Sequence, residues 1–335
     1  MQSSPFDRTA ALALDRADPL SGAREAFGLP EGVIYLVGHS LGPPPKQAMA
    51  RLAEAQTAWQ EELVRSWNTA GWIDLAERTG DRMARLIGAP AGSVVVADNV
   101  SVNLFKLAAA ALPQARTYAL FVEEDEFPTD QYILAGLGAV SGAEARILPS
   151  GGTHDALHAG GVFVRSAVNY RSGEVANIAT HEAEARRHGA MIVWDLSHAT
   201  GVLALDLAAN GARLAAGCTY KYVNGGPGAP AFVFVAPELA AKLSTPLPGW
   251  MGHAAPFAFD SGYAPRDGAA RFASGTPPIL SLAALDGALD VFEGLAMSDL
   301  QAKARALGAP AISRCEKWDS KFFRRRTTSS AAAMS

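Results

Sequence analysis

The chain has 335 residues, 49% of them hydrophobic and 19% charged, enough to bury a sizeable core as one large domain with a satellite or as two domains. A formal charge of −4, with no Arg interleaved among aromatics before the tail, excludes the basic footprint of a nucleic-acid binder. Two cysteines, Cys218 and Cys315, make neither a disulfide framework nor a metal knuckle; no apolar run is long enough to span a membrane, and Asp7, Arg8, Asp15 and Arg16 stand where a secretory signal would be apolar, so a reducing cytoplasm is expected.

In chain order, Thr9 to Leu14 has helical potential, and Val33-Ile-Tyr-Leu-Val37 reads as a strand running into Gly38-His39-Ser40-Leu41-Gly42. That pentapeptide matches the G-x-S-x-G elbow of serine hydrolases, with Ser40 as nucleophile. An elbow serine must lead at once into a helix, whereas Pro43, Pro44 and Pro45 remove N–H groups and push preceding residues out of the helical region. From Lys46 to Val64, Met49, Leu52, Ala55, Trp59 and Leu63 recur at helical spacing and predict a packed face. Trp67 and Trp72 follow in a polar stretch, suited either to stacking on an aromatic ligand or to a small satellite core.

A second helix is predicted over Ala76 to Ile87, then a strand at Ser93 to Ala97, a short polar loop and an alanine-rich helix with Ser101 in its first turn. Strand, loop and helix N-terminus in that order form an anion site, although Ser101 also reads as a plain N-cap. A strand at Tyr118 to Val122 precedes the acidic run Glu123 to Glu126 and then Phe127-Pro128-Thr129-Asp130, at the ligand-facing edge of such sheets. Gly161 to Val168 predicts another strand. His154 and His158 stand four apart, but no third ligand follows in the sequence, so both read as surface residues and no metal is expected.

Met191-Ile-Val-Trp194 reads as a buried strand that ends on Asp195, and a second short strand runs into Tyr220-Lys221-Tyr222 and Asn224-Gly-Gly-Pro-Gly228. An acid and an amine at neighbouring strand ends suit a pyridine-type cofactor: the amine condenses with its aldehyde, and the acid keeps its ring nitrogen protonated. Loops rich in Gly, Pro and aromatics follow at 246–253 and 271–278, and Leu282, Leu285, Leu289 and Phe292 mark one helix face. Strands alternating with helices predict an α/β fold with a mostly parallel sheet. Gly308-Ala-Pro-Ala311 is expected to break the last helix, leaving a disordered basic and small-residue tail that contains Arg324, Arg325 and Arg326.

From about Tyr35 to about Leu307 the chain resembles kynureninase, a fold-type-I pyridoxal-phosphate enzyme. The motifs stand in family order: Y-L-V-G-H-S-L-G-P, S-V-N-L, F-P-T-D, N-Y-R-S-G, W-D-L-S-H, Y-K-Y-V-N-G-G-P-G, G-W-M-G-H and G-T-P-P-I-L. The first departs from the family's Y-L-D-G-N-S-L-G at Val37 and His39. The resemblance implies a seven-stranded, mostly parallel sheet in a large cofactor domain over 76–300. Residues 1–75 would join a small domain and the active-site rim, and 301–335 would be an aberrant tail. It implies that Lys221 bonds to the cofactor aldehyde, Asp195 pairs with the ring nitrogen and Phe127 stacks on the ring. Val100 and Ser101 would hold the phosphate with Tyr220, which also helps move protons, while Pro128, Thr129, Asp130, Ser166 and His198 complete the pocket. Trp250 and Thr276 would reach the cofactor of the partner subunit in a homodimer, and Trp67 and His253 would contact substrate. The implied reaction is hydrolysis of L-kynurenine, or its 3-hydroxy form, to anthranilate or 3-hydroxyanthranilate and L-alanine, in tryptophan catabolism.

Family members carry a C-terminal arginine for the substrate carboxylate, and nothing after residue 308 matches it. The expectation is therefore a chain cut short or shifted in frame there, with weak cofactor binding or slow turnover. Two alternatives are another fold-type-I lyase, which would need a mobile reactive cysteine, and a serine hydrolase dependent on Ser40.

Overall fold

The computed structural model describes residues 8–317. Helix α1 (Arg8–Ala17) opens the chain, followed by α2 (Lys46–Glu62), the single turn α3 (Ser66–Thr69) and α4 (Leu75–Ile87). Strands and helices then alternate as β1 (Val94–Val96), α5 (Val100–Ala111), β2 (Ala119–Glu123), α6 (Pro128–Ser141), β3 (Glu144–Leu148), α7 (Thr153–Ala159), β4 (Val162–Ser166), α8 (Ile178–His188) and β5 (Met191–Asp195). Strands β6 (Leu214–Gly217) and β7 (Phe232–Val235) complete the sheet, and α9 (Pro237–Ala240), α10 (Ile279–Ala288) and α11 (Met297–Lys317) follow.

The seven strands lie in the order β1-β7-β6-β5-β4-β2-β3, and β7 alone runs against the rest. Period-two alternation sorts their side chains onto two cores. Phe121, Phe163, Ile192, Trp194, Ala215 and Phe232 face one way, towards α4, α7, α8 and α10; Val122, Val164, Val193, Leu214 and Val233 face the other, towards α5 and α6. With helices on both faces, a parallel sheet presents the C-terminal ends of its strands as one edge, and the loops that leave this edge build the site.

Helix ends carry local signals. Asn99 and Asn177 cap α5 and α8 through side-chain oxygens that accept from Val102 N–H (3.1 Å) and Thr180 N–H (3.0 Å). Left-handed Gly88, Gly142, Gly160 and Gly189 close α4, α6, α7 and α8.

Three expectations need correction, and one strand was not foreseen. Val33 to Val37 forms no strand; Ile34 and Leu36 are more than 80% exposed, because the run lies outside the sheet with no edge to pair with. On α2 the large residues Met49, Trp59 and Leu63 are exposed, and the buried face is Ala48 and Ala55. Close approach to α10 is the reason: a Cβ on Gly287 would lie 2.4 Å from the Gln47 carbonyl oxygen, so small residues fit where large ones cannot. Strand β3 escapes sequence reading because its edge position leaves Glu144 to Ile147 exposed, without a continuous apolar run. Helix α11 does not stop at Gly308 but runs through Pro310, since the strong helix formers around it outweigh the single N–H that Pro removes. Arg324, Arg325 and Arg326 lie outside the described residues.

Candidate active site

Strands β5 and β6 are parallel neighbours with Asp195 opposite Ala216, so the chain leaving β6 carries Lys221 to the same edge as Asp195. A tight turn presents the lysine: Asn224 N–H donates to the Lys221 carbonyl (3.0 Å) and Gly225 N–H to the Thr219 carbonyl (2.9 Å), with Asn224 left-handed at φ 63°. After β5, Ser197 N–H donates to Asp195 Oδ1 (2.8 Å) and folds the chain back, so that His198 Nε2 lies 2.9 Å from Lys221 Nζ. Burial pushes the His198 imidazole down to about 4, with the Lys221 cation and His39 adding to the effect, so at neutral pH it is an uncharged partner for the lysine.

Asp195 is 6% exposed, and burial raises its carboxyl above the usual range against the opposing pull of the Ser197 bonds and Lys221. Asp130, in the first turn of α6, is 1% exposed and raised further by burial and then by the charges of Asp195 and Glu126. Glu126 was not singled out from the sequence, where it is only the last residue of an acidic run. Its Oε1 accepts Ser166 N–H (3.0 Å), and burial lifts its carboxyl to about 7. Asp130 Oδ2 and Glu126 Oε2 are buried without a hydrogen-bond partner. Three carboxyls thus crowd one strand edge, two of them with an oxygen free for a donor.

At the start of α5 the Asn99 side chain takes Val102 N–H, and its carbonyl takes Asn103 N–H (3.0 Å). Asn99, not Ser101, is therefore the cap. Val100 and Ser101 are the first two helical residues, whose N–H groups precede the intrahelical ladder and suit a phosphate. Beside them a cavity of about 500 Å³ is lined by Asp98, Asn99, Tyr220, Gly228 and Thr276. Burial, followed by the neighbouring Cys218, pushes the Tyr220 phenol up to about 12, so it stays a hydrogen-bond donor. Phe127 stands just before α6 with an exposed ring, edge-on to Tyr170 at 5.3 Å, and Pro128 and Thr129 open the helix behind it.

The Gly38 to Gly42 loop lies on this machinery and forms no nucleophile elbow. Gly42 N–H donates to the Tyr220 carbonyl (2.8 Å), and a Cβ on Gly42 would meet the Lys221 carbonyl oxygen at 2.3 Å. Only glycine permits this close backbone approach. Ser40 Oγ has no hydrogen bond to a histidine or carboxylate among the described residues, so no triad exists around it.

The remaining sites separate from this group. Trp67 packs edge-on against Trp72 (6.2 Å) and Trp250 (6.4 Å), a satellite aromatic cluster. His253 is 9% exposed with both ring nitrogens engaged by backbone, Nε2 with the Gly262 carbonyl (3.1 Å) and Nδ1 with Ala255 N–H (3.0 Å). Cys218 is buried and free, its thiol raised by burial.

These residues fit pyridoxal phosphate: an amine in Lys221, buried acids for a ring nitrogen, an exposed aromatic face in Phe127 and free N–H groups at the start of α5. The aminotransferase class-V family profile matches residues 34–332. Kynureninase of Pseudomonas fluorescens is 44% identical over 317 residues, covering 90% of this chain and 74% of that protein. Kynureninase of Burkholderia pseudomallei strain 1106a is 45% identical over 310 residues, with the same coverages. Among solved structures, the apo cysteine desulfurase of Thermococcus onnurineus NA1 superposes with a TM-score of 0.76 at 17% identity, covering 91% of this chain and 78% of that one. The Escherichia coli cysteine desulfurase CsdA does so with a TM-score of 0.68 at 18% identity, over 92% and 77%. Those two likenesses concern the fold, whereas the sequence relatives share far more of the chain's residues, and the chain belongs to the aminotransferase class-V family and, within it, to the kynureninases.

Proposed function

We propose that this chain hydrolyses the Cβ–Cγ bond of L-kynurenine or its 3-hydroxy form, releasing the anthranilate and L-alanine, with pyridoxal phosphate as cofactor. The carrying observation is Lys221 Nζ held 2.9 Å from a neutral His198 at the strand edge where Asp195 ends β5. When bound, the cofactor supplies an electron sink for the substrate's α-carbon. Lys221 is the amine that would hold its aldehyde and afterwards carry a proton to and from that carbon. Asp195 would keep the ring nitrogen protonated, with the buried carboxyls of Asp130 and Glu126 beside it. Val100 and Ser101 N–H, with the Tyr220 hydroxyl, would bind the phosphate, and Phe127 would cover the ring. Ser166 fixes Glu126 through its N–H. Water adding to the γ-carbonyl carbon lets the Cβ–Cγ bond break, with the acyl half leaving as a carboxylate and Cβ taking a proton.

A homodimer is part of this reading, with Trp250 and Thr276 at the contact through which each subunit completes its partner's site. The exposed apolar Ile34, Leu36, Met49 and Trp59 support a surface made for a second copy. Trp67 and His253 belong to the rim, Trp67 as an aromatic wall beside Trp250 and His253 as a brace for its loop. A cysteine-dependent lyase is disfavoured because Cys218, the cysteine beside the site, is buried at 2% exposure. The compartment proposed is the cytoplasm. The test is to add kynurenine to the cofactor-loaded chain and follow anthranilate fluorescence and alanine. Both products in equal amounts, lost in Lys221→Ala, are expected; sulfide or alanine from cysteine without anthranilate from kynurenine would overturn the reading.

A further inference from the structure

Two pairs of residues at helical i, i+4 spacing face one another on α7 and α8: His154 and His158 on the first, Glu184 and His188 on the second. His154 Nδ1 lies 2.9 Å and His158 Nε2 3.2 Å from the same oxygen, Glu184 Oε1. The rings of His154 and His158 are 3.8 Å apart, and His188 stacks on His158 at 3.8 Å. One ligand atom from each of His154, His158 and Glu184 lies within 4.8 Å of the other two. In a tetrahedral site the ligands sit about 2.0–2.2 Å from the ion, so donor atoms that already converge on one point need only small side-chain shifts.

We propose that His154, His158 and Glu184 bind a first-row divalent transition metal ion of the zinc class, which clips α7 to α8. Two imidazole nitrogens and one carboxylate oxygen are a borderline donor set, suited to zinc and its neighbours and poor for calcium or magnesium, which take oxygen. The fourth position opens to solvent, since the side chains of His154 and His158 are 66% and 45% exposed, while Glu184 at 17% is held between the helices.

The frame is stiff. Arg116 donates from Nε to the His188 carbonyl (2.9 Å) and from Nη2 to the His158 carbonyl (2.5 Å), tying together the last turns of both helices. Left-handed Gly160 and Gly189 make room for that clamp, because a Cβ on Gly160 would lie 2.5 Å from Arg116 Nε. Helices α7 and α8 end just before β4 and β5 begin, so the site lies at the N-terminal edge of these strands, opposite Asp195 and Lys221. Its occupation is therefore structural and independent of the chemistry.

The test is calorimetric titration of the cofactor-loaded full chain with zinc sulfate in a non-chelating buffer. The expected result is one ion per chain, with binding at least tenfold weaker in His158→Ala and in Glu184→Gln. Both variants should keep turnover, because the site lies at the edge of the sheet opposite Lys221, and His158→Ala, at a side chain 45% exposed, should also keep the metal-free melting temperature. Zinc should raise the melting temperature of the unaltered chain and not that of the double variant His154→Ala/His158→Ala. No saturable binding up to about 1 mM zinc would overturn the proposal, as would unchanged stoichiometry and affinity in the double variant.

Discussion

Buried carboxyls packed around one sheet are treated in opposite ways. On the α8 side, Glu182 has no exposed surface, and each of its oxygens has a donor. Oε1 takes Trp194 Nε1 (3.0 Å) and Arg213 N–H (3.4 Å), and Oε2 takes Arg213 Nε (2.9 Å). At the C-terminal edge, Glu126, Asp130 and Asp195 crowd one another, and two of the three keep an oxygen without a donor. The scaffold carboxylate is paired where it sits, whereas two carboxyls at the strand ends keep an oxygen without a donor and hold their protons more tightly. A buried carboxyl without a donor costs free energy, and such a cost persists where a ligand or a reacting group supplies the missing partner.

Substitutions can break this contrast. The largest effect is expected for Lys221→Ala, with turnover falling by about a thousandfold or more while the urea midpoint of the cofactor-free chain stays unchanged. Glu182→Ala should act the other way. Stranding the Arg213 guanidinium beneath the sheet should lower stability by about 3–5 kcal/mol in urea unfolding, and turnover per folded molecule should persist. If Glu182→Ala were neutral for stability, the distinction between the paired scaffold carboxylate and the unpaired site carboxyls would fail.

A third variant, Glu126→Gln, sharpens the site half through pH. The folded carboxyl titrates at about 7 against an ordinary 4.5, so the folded chain binds this proton more tightly than the unfolded chain. Stability from this group is thus present below pH 4.5 and lost as pH rises to about 7, where the buried carboxylate becomes charged. The cofactor-free parent should lose about 3 kcal/mol more than the Gln variant between pH 4.5 and 8, measured by urea midpoints at each pH. The smallest effect is expected for Gly42→Ala, whose Cβ would press on the Lys221 carbonyl. An overpacking cost of about 1–3 kcal/mol should displace the lysine turn and weaken cofactor affinity, as read by absorbance titration.

Much of the site was legible before the fold. Asp195 and Lys221 follow short apolar strands, and a residue just past the end of a buried strand is placed by the strand itself. Phe127 and Asp130 were legible for the same reason, and Ser101 because a helix N-terminus follows a strand and a polar loop. Glu126 was not, because an acid in the run Glu123-Glu-Asp-Glu126 looks solvated until the fold buries it at 3% exposure. The α2 face misled for a related reason: periodicity finds the large apolar residues, but the approach of Gly287 selected the small ones.

By itself the sequence determined the alternation of strands and helices, the strand-end acid and amine, and the helix start that leaves N–H groups free after β1, because each is a local pattern of burial, turn and cap. Only the tertiary structure decided which distant groups meet. It set the Gly38 to Gly42 loop on the back of Lys221 and turned a hydrolase-like motif into a packing surface. It also brought Glu184 of α8 to His154 and His158 of α7, supplying the third ligand that spacing along the chain could not show. Contacts between elements depend on how close and at what angle two surfaces pack, and that is a property of the whole fold.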